Sequence, residues 1–264
     1  IARTKQLSMT DPAFFNANGS FNGAAFAAAI GDNSRTLLGA QQRDWLMSQM
    51  STSQANWQVL GQQVLMGRMN LPLEMLLSLG TANTASLLTE LVTIKMRIQM
   101  NDPTVTDAER ARVNTQVPYN LDAWDGYAYE REVIFGLAKA QAKNLVVLAG
   151  DTHNAWANDL QTLNGDKVGV EFATAGVTSP GMEQYLSLDK ASAQGLEQGL
   201  PILVDGLNYC NLYERGYLLV TFTPESANAE WQFVDTILSR EYGMETSRAN
   251  ALQVIAGENQ LSAV

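Results

Sequence analysis

Apolar positions along the chain alternate between helical and strand spacing. Leu38, Trp45, Leu46 and Met50 recur at helical intervals, which predicts an amphipathic helix over 37–53. Residues 57–64 then read as a strand, and a helix followed by a strand is one step of an α/β layer. Residues 9–36, rich in Asn, Gly, Ala and Ser, read as a long loop with a short helix near Phe21 to Ile30. Helical spacing returns over 85–100, and "TDAERARV" at 106–113 has the form of a capped helix start. The stretch 123–142 predicts a helix and 144–149 a strand. A short helix, the turn Asn164-Gly165 and a second strand over 167–176 are expected next. "SPGMEQYLSL" opens a further helix or loop. Residues 215–238 read as two strands joined by a turn, an antiparallel hairpin. Segment 67–120 fits this order least and is expected as an insertion beside the main sheet; 241–264 is expected as a C-terminal tail.

Composition adds limits. The 264 residues are 46% hydrophobic and 17% charged, enough for a sizeable core in one large or two small domains. No run of 18 apolar residues suggests a membrane span. The net charge of −10 offers no basic stripe for nucleic acid or for an anionic membrane surface. A small phosphate substrate remains open, because a metal reverses the field inside a pocket. The single cysteine, Cys210, excludes an intrachain disulfide and a cysteine-rich metal site. The chain starts at Ile1 rather than Met, so upstream sequence is expected.

The only histidine, His153, lies two residues after Asp151 in "NLVVLAGDTHNAWANDL". The preceding strand is continuously apolar, as a strand buried on both faces is. In α/β sheets, sites form beyond the carboxyl ends of such strands. A carboxylate and an imidazole two residues apart on a turn can address one ion or two neighbouring ions: zinc, manganese, iron or, through the carboxylate, calcium. The bland alternative makes Asp151 or Thr152 the N-cap of a following helix. Two residues do not complete a two-metal site.

"VVLAGDTHNAWANDL" resembles the late metal-binding motif of PhoD-like metallophosphatases, the alkaline phosphatase D family. Other segments resemble that family in the same order. They are "IARTKQL", "RTLLGAQQRDWLMSQMSTSQANWQVLGQQVLM", "WDGY" followed by Glu130 and Arg131, "VEFATAGVTSPGMEQ" and "LYERGYLLVTFTPESANAEWQFVDTI". The resemblance covers most of 1–240 and is weaker over 67–120 and after Arg240. It implies the C-terminal half of an α/β sandwich of the calcineurin-like metallophosphoesterase type, ending in an antiparallel hairpin. It implies hydrolysis of phosphate mono- and diesters by a metal-activated water, with calcium and iron as the metals and zinc or manganese as alternatives. Asp151 and His153 become metal ligands by motif, and Asn154 and Trp156 weaker pocket candidates, Trp156 more readily as packing. The family's first ligands lie upstream, so the implied partners are a phosphate ester and an N-terminal half of the same protein. The implied location is periplasmic or extracellular. The rival reading is a non-catalytic extracellular structural or surface component on the same scaffold.

Further residues carry two readings each. Trp124, Asp125, Tyr127 and Arg131 either shape the pocket or form a helix start with an Asp–Arg ion pair. Glu183, with Thr178 and Ser179 beyond a second strand, is an oxygen-ligand candidate or a solvated carboxylate in a helix start. Arg215 binds phosphate or pairs with an acid such as Glu214 or Asp235. Glu130-Arg131-Glu132 is expected on a solvated helix face.

Overall fold

The computed structural model describes residues 7–264. Most of "IARTKQL" therefore lies outside the described residues. In chain order, α1 (Gly23–Ile30) and α2 (Gly39–Thr52) precede strand β1 (Trp57–Gly61). Then come β2 (Asn70–Pro72), α3 (Leu73–Ser78), α4 (Thr84–Gln99), α5 (Asp107–Asn114) and β3 (Gln116–Pro118). A 3-10 turn, Trp124–Tyr127, leads into α6 (Ala128–Ala140) and β4 (Asn144–Ala149). The remaining elements are β5 (Ala155–Gln161), β6 (Lys167–Ala173), α7 (Met182–Tyr185), α8 (Lys190–Leu203), β7 (Leu207–Asn211), β8 (Arg215–Phe222), β9 (Ser226–Val234), β10 (Asn250–Ile255) and β11 (Leu261–Ala263).

The main sheet has five strands in the order β1-β4-β6-β5-β7. β1, β4 and β6 run parallel, and β5 is antiparallel to both its neighbours. The apolar run of β4 follows from burial on both faces. Leu145 and Val147 join Met50, Ile134, Phe135 and Ala138 on the side of α2 and α6. Val146 points the other way, into a cluster with Val170, Phe172, Trp231 and Phe233.

That second cluster joins the main sheet to a four-stranded antiparallel sheet, β11-β10-β9-β8. β9 alternates buried and half-buried residues along its length, the pattern of a strand with one face on a core. Its Trp231 indole donates to the Ala173 carbonyl at 2.8 Å, tying the two sheets together. The β8–β9 pair is the hairpin expected from sequence, but the chain does not end there. Residues 241–264, read as a tail, supply β10 and β11 to the same sheet. Segment 67–120 is also built in: α4 packs Leu88, Leu91 and Ile94 against Ala193, Leu196 and Leu200 of α8.

One element differs in kind. A short helix was expected after residue 150, and the structure has β5 there. Trp156, Asn158 and Leu160 alternate with Ala155, Ala157 and Asp159, and the two alanines fit against the second sheet. Pairing on both sides outweighs the helix preference of alanine. Asp151 and Thr152 therefore cap no helix. Among the described residues, no helix is long and apolar enough to cross a membrane.

Candidate functional site

The three parallel strands end together. Beyond them lie Gln62-Gln63 after β1, Gly150–Asn154 after β4, and 174–181 after β6. The middle loop is drawn tight by backbone bonds. The His153 amide donates to the Gly150 carbonyl at 3.1 Å, and the amides of Gly150 and Asp151 both donate to the Gln63 carbonyl, at 3.1 and 2.8 Å. The Gly176 amide donates to the His153 carbonyl at 3.0 Å. His153 takes a left-handed conformation with φ 58°, uncommon for a side chain with a Cβ.

His153 Nδ1 lies 2.6 Å from the Pro180 carbonyl oxygen. A carbonyl only accepts, so Nδ1 carries a proton, and in the neutral ring the lone pair is left on Nε2. A backbone carbonyl fixing one ring nitrogen is the usual support of a metal-binding histidine. Asp151 is exposed beside it. Together they present one carboxylate and one imidazole nitrogen at the strand ends. Among the described residues no group of three or more His, Cys, Asp or Glu side chains could hold a metal. The pair fits as part of a ligand set.

Asn154 and Trp156 hold this loop from behind. Asn154 is buried; its amide nitrogen donates to the Leu212 carbonyl at 2.9 Å, and its oxygen accepts the Met182 amide at 2.9 Å. It clasps three segments: its own loop, the residues after β7 and the start of α7. Gly181 passes so close that a Cβ there would lie 2.6 Å from Asn154 Nδ2, which accounts for glycine in "SPG". Trp156 fills the core, and its indole donates to Thr152 Oγ1 at 2.9 Å.

Glu183 and Arg215 engage each other. Both are buried, and the Arg215 guanidinium is ion-paired with Glu183. Its remaining donors go to the carbonyls of Ser179 at 2.8 Å and Tyr213 at 2.9 Å. Arg215 thus pairs with an acid, but with Glu183 rather than Glu214 or Asp235. Glu183 stands in the first turn of α7 and is not solvated.

The "WDGY" turn lies in the core next to the site. Trp124 donates its indole N–H to Gln62 Oε1 at 3.1 Å, and Tyr127 is fully buried with the Arg35 guanidinium 4.9 Å above its ring. Asp125 pairs with Arg131 at 2.6 Å and accepts the Met69 amide at 2.9 Å. Asp125 and Thr152 line one small cavity, so this turn reaches the Asp151 loop.

The expected solvated face at 130–132 is overturned. Glu130 is 1% exposed and Arg131 2%. Glu130 accepts from Thr36 Oγ1 and from the amides of Leu37 and Leu38, fixing the start of α2 across the fold. Glu132, half-buried, meets Arg68 at 3.3 Å. The sequence reading also missed Glu171, fully buried in β6. It accepts the amides of Met66 at 2.6 Å and Gly67 at 3.0 Å, and Asn158 Nδ2 at 2.9 Å. Burial pushes its carboxyl up to about 7, against the pull of these bonds and of Arg131. An acid among the apolar residues of "KVGVEFA" was the available signal.

With this geometry in hand, likeness to known proteins can be placed. The sequence model described as PhoD-like phosphatase matches residues 3–231. Alkaline phosphatase D of Bacillus subtilis (strain 168) is 28% identical over 203 residues, which is 75% of this chain and 27% of that protein. A solved structure titled "Structure of PhoD" superposes with a TM-score of 0.56 at 22% identity, covering 88% of this chain and 36% of that one. The chain thus spans about a quarter to a third of the length of these relatives. Matched over most of its length, it belongs to the PhoD-like phosphatase family.

Proposed function

We propose that this chain carries the C-terminal part of a metal-dependent phosphoesterase site that hydrolyses phosphate mono- and diesters. The observation that carries the reading is the Asp151–His153 pair, with Nδ1 held by the Pro180 carbonyl and Nε2 open beside an exposed carboxylate. Such a donor pair suits iron, zinc or manganese, and its carboxylate suits calcium. Calcium and iron are the metals the family resemblance favours. Bound there, metal ions supply Lewis-acid polarisation of the phosphoryl group and lower the pKa of water. The chain's own contribution is orientation. Pro180 sets the imidazole tautomer, Gln63 and Gly176 fix the loop, and Asn154 and Trp156 anchor it to the core.

The remaining ligands are proposed to come from an upstream half of the same protein. Two features support this. Among the described residues β1 is an unpaired edge of the main sheet, and a groove of about 460 Å³ runs between it and α2. Trp45, 60% exposed, and Val59, 43% exposed, line that groove. An open edge beside apolar surface is what a further layer of chain covers. A calcineurin-like sandwich and a periplasmic or extracellular location belong to the same proposal. The test is the metal content of the intact protein, by elemental mass spectrometry, with phosphoesterase assays on mono- and diesters. Two ions per copy, both lost together with activity in His153→Asn, are expected. A protein without stoichiometric metal would overturn the enzyme reading and leave the non-catalytic structural one.

A further inference from the structure

We propose that Glu171 is a positioning residue for the Asp151–His153 loop, acting through the irregular segment 62–69; the functional consequence rests on the metal-site reading above. Glu171 lies on β6, fully buried, and bonds to this segment rather than to the loop itself. Its role follows from where backbone bonds go.

Segment 62–69 leaves the end of β1 and passes through the core without joining a ladder. Val64, Leu65, Met66 and Met69 are buried, so the amides among them have no water to bond. Side chains take that part: Gln62 Oε1 accepts the Val64 amide at 3.2 Å, and carboxylates accept those further on. Glu171 accepts the amides of Met66 and Gly67, and Asp125 accepts that of Met69. Arg131 lies between the two acids, donating to the Met66 carbonyl at 3.3 Å and pairing with Asp125. Asn158, directly across the ladder from Glu171, fixes the second carboxylate oxygen. The segment runs so close to Asn158 that a Cβ on Gly67 would lie 2.8 Å from its side chain. These side chains therefore dictate the path of 62–69. That path places the Gln63 carbonyl, which receives both the Gly150 and the Asp151 amide. The path runs from Glu171 to Met66 and Gly67 by hydrogen bonds, along the backbone to Gln63, and by hydrogen bonds again to Gly150 and Asp151.

Residue-resolved amide hydrogen exchange on the intact protein tests this. In Glu171→Gln one carboxylate oxygen becomes an NH₂ facing donors. Protection at Met66, Gly67, Gly150 and Asp151 is expected to fall at least tenfold, while Val146 and Val147 in β4 keep theirs. Affinity for Mn²⁺, followed by its electron paramagnetic signal, is expected to weaken about 10- to 100-fold, the usual effect of disturbing the support of a metal ligand. Leu196→Ala, a core change between α8 and α4, should lower stability without either local effect. Unchanged protection at Gly150 and Asp151, or loss no greater there than in β4, would overturn the proposal. If Glu171→Gln does not fold, Asp125→Asn releases the Met69 end of the same segment and gives the same amide readout. A parent protein that binds no Mn²⁺ counts against the metal-site reading, and the amides still decide the role of Glu171.

Discussion

Asp125 and Asp151 each sit in a short irregular stretch beside the parallel strands, and the fold treats them oppositely. Asp125 is 4% exposed and has both oxygens engaged, one by the Arg131 guanidinium and one by the Met69 amide. Asp151 is exposed, and only its backbone amide is held, by Gln63. The contrast extends to their neighbours. Glu130, Arg131 and Glu171 are buried in hydrogen bonds to backbone, whereas His153 has one nitrogen fixed and the other open. Buried charges need partners because the protein interior solvates them poorly. Ligands for an external group must keep a free lone pair. Under the proposed metal-site reading, Asp151 and His153 are such ligands and the buried set positions them.

The largest expected effect separates the two sets by stability. Arg131→Met leaves Asp125 buried without its counter-ion and should cost about 3–5 kcal/mol. Asp151→Ala, at an exposed side chain, should stay within about 0.5 kcal/mol of the parent. Urea unfolding of both variants measures this. Equal losses would erase the contrast.

Activity should give the reverse order. His153→Asn keeps a residue type that tolerates the left-handed backbone but removes the imidazole. If His153 is a ligand, phosphoesterase kcat/KM should fall by roughly two to three orders of magnitude, on the order of 3–4 kcal/mol of transition-state stabilisation. Thermal stability measured without metal should change little. A variant with near-parent activity would remove His153 from the site.

Glu171 sharpens the comparison through pH. Its carboxyl titrates near 7 in the fold against an ordinary 4.5. The folded state therefore holds the proton more tightly. The stability this contributes is present in full below about pH 4.5 and is lost as pH rises through about 7. The difference across that window approaches about 3 kcal/mol. Arg131 is the charged group acting on it, and it favours the anion. Stability of the parent relative to Glu171→Gln should therefore decline from pH 4.5 to 7. A flat difference would mean that Glu171 stays ionised throughout.

How much of this was legible beforehand depended on whether the signal was local. The β4 strand, the capped α5 and the β8–β9 pair were readable because periodicity and caps are written into consecutive residues. Thr106 and Glu109 form the reciprocal cap that "TDAE" suggests. The Asp151–His153 turn was readable for the same reason. β5 was misread because its alanines acquire a strand role only from partners on both sides. Glu130 looked solvated because its partners, Thr36 and Leu37, are brought to it by tertiary folding; the Asp125–Arg131 pair, six residues apart, was one of the two readings its sequence allowed. The Gln63 and Pro180 carbonyls carry no sequence signal at all, since every residue has a backbone carbonyl. Motifs point to candidate side chains, and only the fold revealed what holds them.

The smallest effect concerns a direct bond from a core side chain to the loop. The Trp156 indole donates to Thr152 Oγ1 at 2.9 Å, joining a fully buried ring to the residue between Asp151 and His153. Thr152→Val keeps the shape and removes the acceptor, leaving a buried N–H unpaired. That should cost about 1 kcal/mol or somewhat more, near the low end for an unmet buried donor because Thr152 is half-buried and water can reach it. Thr152→Ser keeps the hydroxyl and should stay close to the parent. If the bond positions the loop as well as stabilising the core, Val lowers kcat several-fold at a temperature where both variants are fully folded, and Ser does not. If Val and Ser retain equal activity, the tryptophan's hydrogen bond belongs to the core alone, and the loop is held by its backbone bonds to Gln63 and Gly176.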